Sequence, residues 1–281
     1  MQKKVLAIND ISCTGRCSLT VALPIVSAAG LETVILPTAI LSTHTSGFEG
    51  YTFLDFTDEM NKITAHWKTL GLKFDGIYSG YLGSKAQLDI VDGIISDFSK
   101  EDTLVFIDPV MGDDGRLYPG FSADFPKGMA KLCEKADVIV PNITEASLMA
   151  DMPYIGAGYD ESYVEQLARK LSSFGPETVI ISGVSFEEGK IGCAVYEKKS
   201  DTVRYGFTDF VASLYHGTGD VFSSALFGAL AAGKPVMDAV YIAMRYTRDS
   251  IYETSLHTEE KRFGVEFESG LGKLSSEILG Y

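Results

Sequence analysis

Residues 74–109 read FDGIYSGYLGSKAQLDIVDGIISDFSKEDTLVFIDP, and this stretch decides the fold class. Gly76-Ile77-Tyr78 is a short apolar run of strand type, and Lys85 to Phe98 carries apolar residues at helical spacing. Thr103 to Ile107 is again β-branched and apolar, stopped by Asp108-Pro109. Strand, helix and strand at this spacing form one crossover unit of a parallel sheet buried on both faces.

The same alternation continues in both directions. Upstream, Val5 to Ile8 is predicted as a strand, Ser18 to Ala29 as a helix closed by Gly30, Thr33 to Leu36 as a strand and Phe53 to Leu70 as a helix. Downstream, the expected helices are Phe125 to Lys135, Ile143 to Ala150 and Tyr163 to Phe174. The expected strands are Val138-Ile139-Val140 and Thr178 to Ile181. After Gly183 the pattern changes: Ile191 to Tyr196 and Thr202 to Phe207 flank the polar turn Lys198 to Asp201 as a hairpin. Helices over Val221 to Ala232 and Val236 to Tyr252 follow. The prediction is a mostly parallel central sheet with helices on both faces, a three-layer α/β sandwich in a single domain spanning 1–281.

Composition narrows the partners. The 281 residues are 46% hydrophobic and 22% charged, as in a globular protein. A net charge of −14 argues against nucleic acid or anionic membrane, since a phosphate polymer must be met by a basic face. A nucleotide is still compatible, because backbone amides and a metal ion can supply local positive charge. Cys13, Cys17, Cys133 and Cys193 are too scattered for a disulfide framework. The apolar run at Val5–Ile8 is too short for a signal peptide and no 18-residue apolar stretch exists, so a cytoplasmic location is expected.

Ligands of doubly wound sheets gather past the carboxyl ends of the strands. There the sequence places Asn9-Asp10, Thr38 to Gly47, Ser79 to Gly83, Asp108 to Gly115, Asn142 to Glu145 and Ser182-Gly183. The strongest local signal is His216-Gly217-Thr218-Gly219-Asp220, running into a helix of small residues. Two glycines permit a tight turn, the helix start offers free amides to an anion, and Asp220 could take a proton from an attacking alcohol. An ordinary capped helix start is the other reading. Asp108 to Gly115 offers carboxylates for Mg²⁺ at a strand end, or else a solvated turn. Asn142 and Glu145 share one helix face, as a site or as a cap.

Other features carry less. Gly228 to Pro235 comes within one residue of a Walker A loop, but Pro235 replaces the hydroxyl and the segment ends a helix. It reads as a helix-to-helix turn. His66 and Trp67 read as packing residues, His257 shows no recognisable partner, and His44 lies where it could face a substrate ring.

Five ordered markers resemble those of the pyridoxal kinase family within the ribokinase-like superfamily. They are Leu41-Ser42-Thr43-His44-Thr45, Ser79-Gly80-Tyr81-Leu82-Gly83-Ser84, Asp108-Pro109-Val110-Met111-Gly112, Pro141-Asn142-x-x-Glu145 and Gly217-Thr218-Gly219-Asp220. The resemblance spans nearly the whole chain. It implies a ribokinase-like fold and transfer of the γ-phosphate of ATP to the 5′-hydroxymethyl group of a B6 vitamer. By the same resemblance Asp220 is the base and the amides of Gly217, Thr218, Gly219 and Asp220 form the anion hole. Asp108, Asp113 and Glu145 organise Mg²⁺ and a monovalent cation such as K⁺. Asn142 and Ser182 contact ATP phosphates, and His44, Thr45 and Tyr81 line the pyridine site. Tyr118 sits in a flexible loop, Asp114 to Pro119, that covers the phosphates, and the enzyme is a homodimer.

One segment departs from the pattern. The family commonly has Gln-Ser where this chain has Asn9-Asp10, so a carboxylate stands where a serine contacts the vitamin. It is expected to favour a cationic partner, the ring nitrogen's proton or the amine of pyridoxamine. The nearest rival is a hydroxymethylpyrimidine kinase of thiamine synthesis, which shares fold and anion hole. A non-catalytic vitamer- or nucleotide-binding protein would have no use for Asp220, Asp108 and Glu145. A dinucleotide-dependent dehydrogenase would need Gly-x-Gly-x-x-Gly after the first strand, and this chain has none there.

Overall fold

The computed structural model describes residues 2–212, 215–257 and 260–281. Its strands are β1 (Lys4–Thr14), β2 (Glu32–Thr43), β3 (Phe53–Asp55), β4 (Phe74–Ser79), β5 (Ser99–Ile107), β6 (Gly112–Asp113), β7 (Arg116–Leu117), β8 (Val138–Ile139), β9 (Thr178–Val184), β10 (Lys190–Glu197) and β11 (Thr202–Asp209). Its helices are α1 (Leu19–Ala28), α2 (Thr57–Thr69), α3 (Lys85–Phe98), α4 (Phe125–Cys133), α5 (Ile143–Ala150), α6 (Glu161–Ser172), α7 (Thr218–Ala231), α8 (Val236–His257) and α9 (Leu271–Leu279).

Nine strands make one sheet in the order β11-β10-β9-β8-β5-β4-β1-β2-β3. The inner pairs from β2 to β9 are parallel, while β3 on one side and β10 and β11 on the other run antiparallel. Side-chain alternation splits the core in two. Leu6, Ile8, Ile77, Val105, Ile107, Ile139 and Ile181 meet α2 to α6 on one face. Val5, Ala7, Tyr78, Phe106, Val138, Ile180 and Val195 meet α1, α7, α8 and α9 on the other. Phe74, Phe98, Phe106 and Phe227 are fully buried, each contributing about 1.5–3 kcal/mol of hydrophobic stabilisation. The three layers are those expected.

The order also locates the site. β1 has β2 on one side and β4 on the other, so the chain winds outward in opposite directions from it. The crevice beyond the ends of β1 and β4 is therefore the switch point at which such sheets bind ligands.

Several boundaries differ from expectation. β1 runs to Thr14 and β2 to Thr43, because pairing between the two continues past a register shift between Asn9 and Ile11. Part of the segment expected as a strand-end loop, Thr38 to Gly47, is thus strand. Phe53–Asp55 is not the first turn of α2 but an edge strand on Ala39, Ile40 and Leu41, and Asp55 Oδ1 then accepts from Thr57 N at 2.8 Å where the helix begins. The stretch expected as a flexible loop from Asp114 is a hairpin of β6 and β7. Asp114 and Gly115 both hold positive φ at its turn (49° and 74°), and Gly115 N donates to Thr144 Oγ1 at 3.0 Å. Helix α9 went unforeseen. The near-Walker segment is the α7–α8 turn, with Lys234 N bonded to Ala229 O at 3.0 Å.

Candidate active site

Asp220 lies in the first turn of α7, and the turn before it is built tightly. Gly217 has φ 76°, and a Cβ there would stand 2.1 Å from the carbonyl oxygen of Arg16. Only glycine satisfies both conditions. Gly219, by contrast, has open space above its Cα, so an oxyanion can approach the unpaired amides at the helix start. The reading of this motif as a mere cap is not supported by side-chain geometry, since Gly217 is the N-cap and offers none.

Asp220 itself is half-buried. Burial, with the nearby charge of Asp10, pushes its carboxyl up to about 6, against the Ser18 amide and the Asn9 side chain, which favour the charged form. A carboxylate with that value is mostly ionised at neutral pH yet basic enough to take a proton.

Asn9 was placed among the strand-end residues but given no role, and it organises the crevice. Its Oδ1 accepts from Asp10 N at 3.0 Å and Tyr81 N at 2.9 Å, joining the ends of β1 and β4. The side chain fits because residue 80 is glycine: a Cβ there would come within 2.3 Å of Asn9 Nδ2. This explains the glycine in Ser79-Gly80-Tyr81. The legible signal was an amide directly after the apolar run Val5–Ile8. Gln87 was also missed; it is buried in α3, accepts from Gly83 N at 2.8 Å and donates to Thr38 O at 2.9 Å.

Asp108 is 7% exposed, and Glu145 is likewise buried. Burial lifts Asp108 to about 8; a Ser223 hydrogen bond opposes this and Asp220's charge adds to it. Burial raises Glu145 too, and Asp108 is its next cause. Glu145 completes a capping box. Its Oε2 accepts from Asn142 N at 2.9 Å while Asn142 Oδ1 accepts from Glu145 N at 2.8 Å, and its Oε1 takes Met111 N at 3.0 Å. The cap reading of this pair therefore holds. Mg²⁺ bound with a nucleotide needs only one or two protein carboxylates beside phosphate oxygens and water. Asp108 fits that need directly. Glu145, with both oxygens engaged by amides, fits as an outer group acting through water.

A cavity of about 460 Å³ opens beside this cluster. It gathers Asp113, Tyr118, Asn142, Ser182, Gly217, Thr218 and Gly219, so the expected nucleotide residues and the glycine turn share one cleft. Its far wall, from Thr208 to Val211 and from Met244, Thr247, Arg248 and Ile251, escaped sequence reasoning because no motif marks it. Asp113 is exposed and its carboxyl is raised by partial burial and by Asp114. Tyr118, at the hairpin's end, donates its amide to Met111 O at 2.9 Å, and burial raises its phenol.

The residues expected to line the pyridine site are Tyr81, His44 and Thr45. Tyr81 is half-buried and feels the charge of Asp10. His44 is buried, but both ring nitrogens are used: Nε2 lies 2.5 Å from Arg262 O, and Nδ1 accepts from Ser46 N at 3.2 Å. It can offer a substrate its face but not a free nitrogen. Thr45 stands exposed one residue on. His257 has a partner after all, Glu266 Oε2 at 2.6 Å from Nδ1, well away in sequence from the motifs above.

A doubly wound α/β sandwich with a glycine-built turn and a carboxylate at the start of α7 is a small-molecule kinase of the ribokinase-like class. The chain belongs to the phosphomethylpyrimidine kinase family, whose model matches residues 23–265. It is similar to a Bacteroides thetaiotaomicron protein, described as a phosphomethylpyrimidine kinase and crystallised with pyridoxal, at 40% identity and TM-score 0.92, covering 98% of this chain and 96% of that one. Pyridoxal kinase from Lactobacillus plantarum is 30% identical with TM-score 0.90, covering 98% and 97%. The chloroplastic thiamine biosynthetic bifunctional enzyme TH1 of Arabidopsis thaliana is 24% identical over 88% of this chain, which spans 46% of that protein's length.

Proposed function

We propose that this kinase transfers the γ-phosphate of ATP to the 5′-hydroxymethyl group of pyridoxal, pyridoxamine or pyridoxine. The observation that carries the reading is the placement of Asp220. Its carboxyl is pushed up to about 6, and it stands between the cleft lined by Gly217 to Gly219 and the crevice of Asn9, Asp10 and Tyr81. The substrate hydroxyl gives its proton to Asp220, its oxygen bonds to the γ-phosphorus, and the bond from that phosphorus to the β–γ bridging oxygen breaks to release ADP. The amides of the α7 start hold the oxygens of the transferring group. Asp220 then returns its proton to water.

Mg²⁺ would be held by Asp108 directly and by Glu145 through water, and would neutralise phosphate charge. K⁺ is a further expected cofactor. Among the described residues no helix is long and apolar enough to cross a membrane; a cytoplasmic location is part of the proposal. Exposed Phe53 and Leu54 on the edge strand β3 are compatible with a homodimer.

Phosphorylation of hydroxymethylpyrimidine is the second reading, favoured by the family description and the TH1 relative. ADP release measured with the three vitamers and hydroxymethylpyrimidine decides between them. The B6 reading expects turnover of a vitamer with kcat/KM at least about tenfold above that for the pyrimidine. A reversed order overturns it.

A further inference from the structure

Asp10 is 6% exposed at the register shift within β1. Ser18 Oγ donates to its Oδ1 at 2.6 Å and Ser12 Oγ to its Oδ2 at 3.3 Å. Both partners are neutral hydroxyls. The ion pairs of the described residues involve other carboxylates, so no lysine or arginine answers this charge. His44, the imidazole whose charge would reach it, has Nε2 at Arg262 O and accepts at Nδ1 from Ser46, so neither ring nitrogen is free to bond to Asp10. The other titratable groups that feel Asp10 are Asp220, Tyr81 and Cys17, none of which carries positive charge.

A carboxylate withdrawn from water without a counter-ion is costly, and a protein retains one mainly where a ligand completes the pair. Tying the loop between β1 and α1 to Ser18 needs no charge, since an amide could accept the same hydrogen bond. The crevice beside Asp220 is where the acceptor's hydroxymethyl group must lie, so a cation on that acceptor falls within reach of Asp10.

We propose that Asp10 is an anionic subsite selecting substrates that carry a positively charged N–H beside the hydroxymethyl group. This rests on the B6 reading, and it names two sources for the N–H: the 4′-ammonium of pyridoxamine and the protonated ring nitrogen. The experiment compares kcat/KM of wild type and Asp10→Asn with pyridoxamine, pyridoxal, pyridoxine and the benzene analogue of pyridoxine, in which carbon replaces the ring nitrogen. ADP affinity and melting temperature report whether the variant is folded, and Asp10→Ser stands in should Asp10→Asn not fold.

For the ammonium source, pyridoxamine turnover falls about 30-fold, equivalent to about 2 kcal/mol, while pyridoxal and pyridoxine change by less than about threefold. For the ring source, all three vitamers fall together and the benzene analogue does not. An equal loss on all four substrates, or no change on any, overturns the proposal and leaves Asp10 a loop tie. Wild-type enzyme that phosphorylates no vitamer sinks the B6 reading itself.

Discussion

Replacing Asp220 by asparagine should damage catalysis and improve stability in the same molecule. The carboxyl sits at about 6 in the folded protein against an ordinary 3.8. That gap corresponds to about 3 kcal/mol at roughly 1.36 kcal/mol per pH unit. Water reaches part of this half-buried residue, so the figure is an upper bound. The folded state holds the proton more tightly than the unfolded chain. Below pH 3.8 both states are protonated and no cost arises; as pH rises through about 6 the folded protein must carry an unfavourable charge. Asparagine carries none. The variant should therefore melt several degrees above wild type at pH 8 and close to it at pH 4.5. Its kcat should fall by about 100-fold or more, while ADP affinity stays near wild type. Wild-type kcat/KM should drop about tenfold per pH unit below pH 6, and the variant should lack that limb. Asp108, pushed up to about 8, is separated from this limb by repeating the profile at two Mg²⁺ concentrations, since a limb owed to Asp108 moves more with the metal than one owed to Asp220. The variant retaining kcat within about tenfold, or a wild-type profile flat to pH 5, would refute the assignment of Asp220 as base.

Three further outcomes are expected. Gly217→Ala forces a Cβ to 2.1 Å from Arg16 O at φ 76°, so it should cost several kcal/mol of stability and nearly all turnover, read by melting and ADP release. Gly80→Ala pushes Asn9 away from Tyr81 and Asp220 and should lower kcat by about tenfold or more; Gly93→Ala, which meets nothing within 4 Å in α3, should keep full activity and raise the melting temperature slightly. Lys234→Ala should leave the KM for ATP unchanged, because this lysine belongs to a turn between helices; a large rise in KM would restore the Walker-like reading.

Central elements were legible because burial on both faces leaves a strong compositional trace. Helices α3 and α5 match their expected bounds, since Ser84 and Asn142 cap them by side-chain hydrogen bonds that sequence alone suggests. The edges were not. Phe53–Asp55 is a strand only because β2 lies beside it, and its three exposed residues show no burial period to read. The hairpin at Asp114-Gly115 was visible as a turn but not as a pair of strands, because each strand is two residues long. In the site, glycine and carboxylate motifs were readable where chemistry is local. The role of Asn9 was not, because it depends on Gly80 lying seventy-one positions away against its side chain.

The carbonyl of Arg16 touches two glycines at once: a Cβ on Gly264 would stand 2.6 Å from it, as one on Gly217 would at 2.1 Å. Arg16 N also bonds to Phe263 O at 3.0 Å, and its guanidinium to Glu268 at 2.7 Å. One peptide oxygen is thus clamped between the α7 turn and a segment about 250 residues further along the sequence. The shape of the Gly217 turn therefore depends on residues 263–268, so a chain truncated after 260 should keep the sheet yet lose that turn and with it any affinity for ADP.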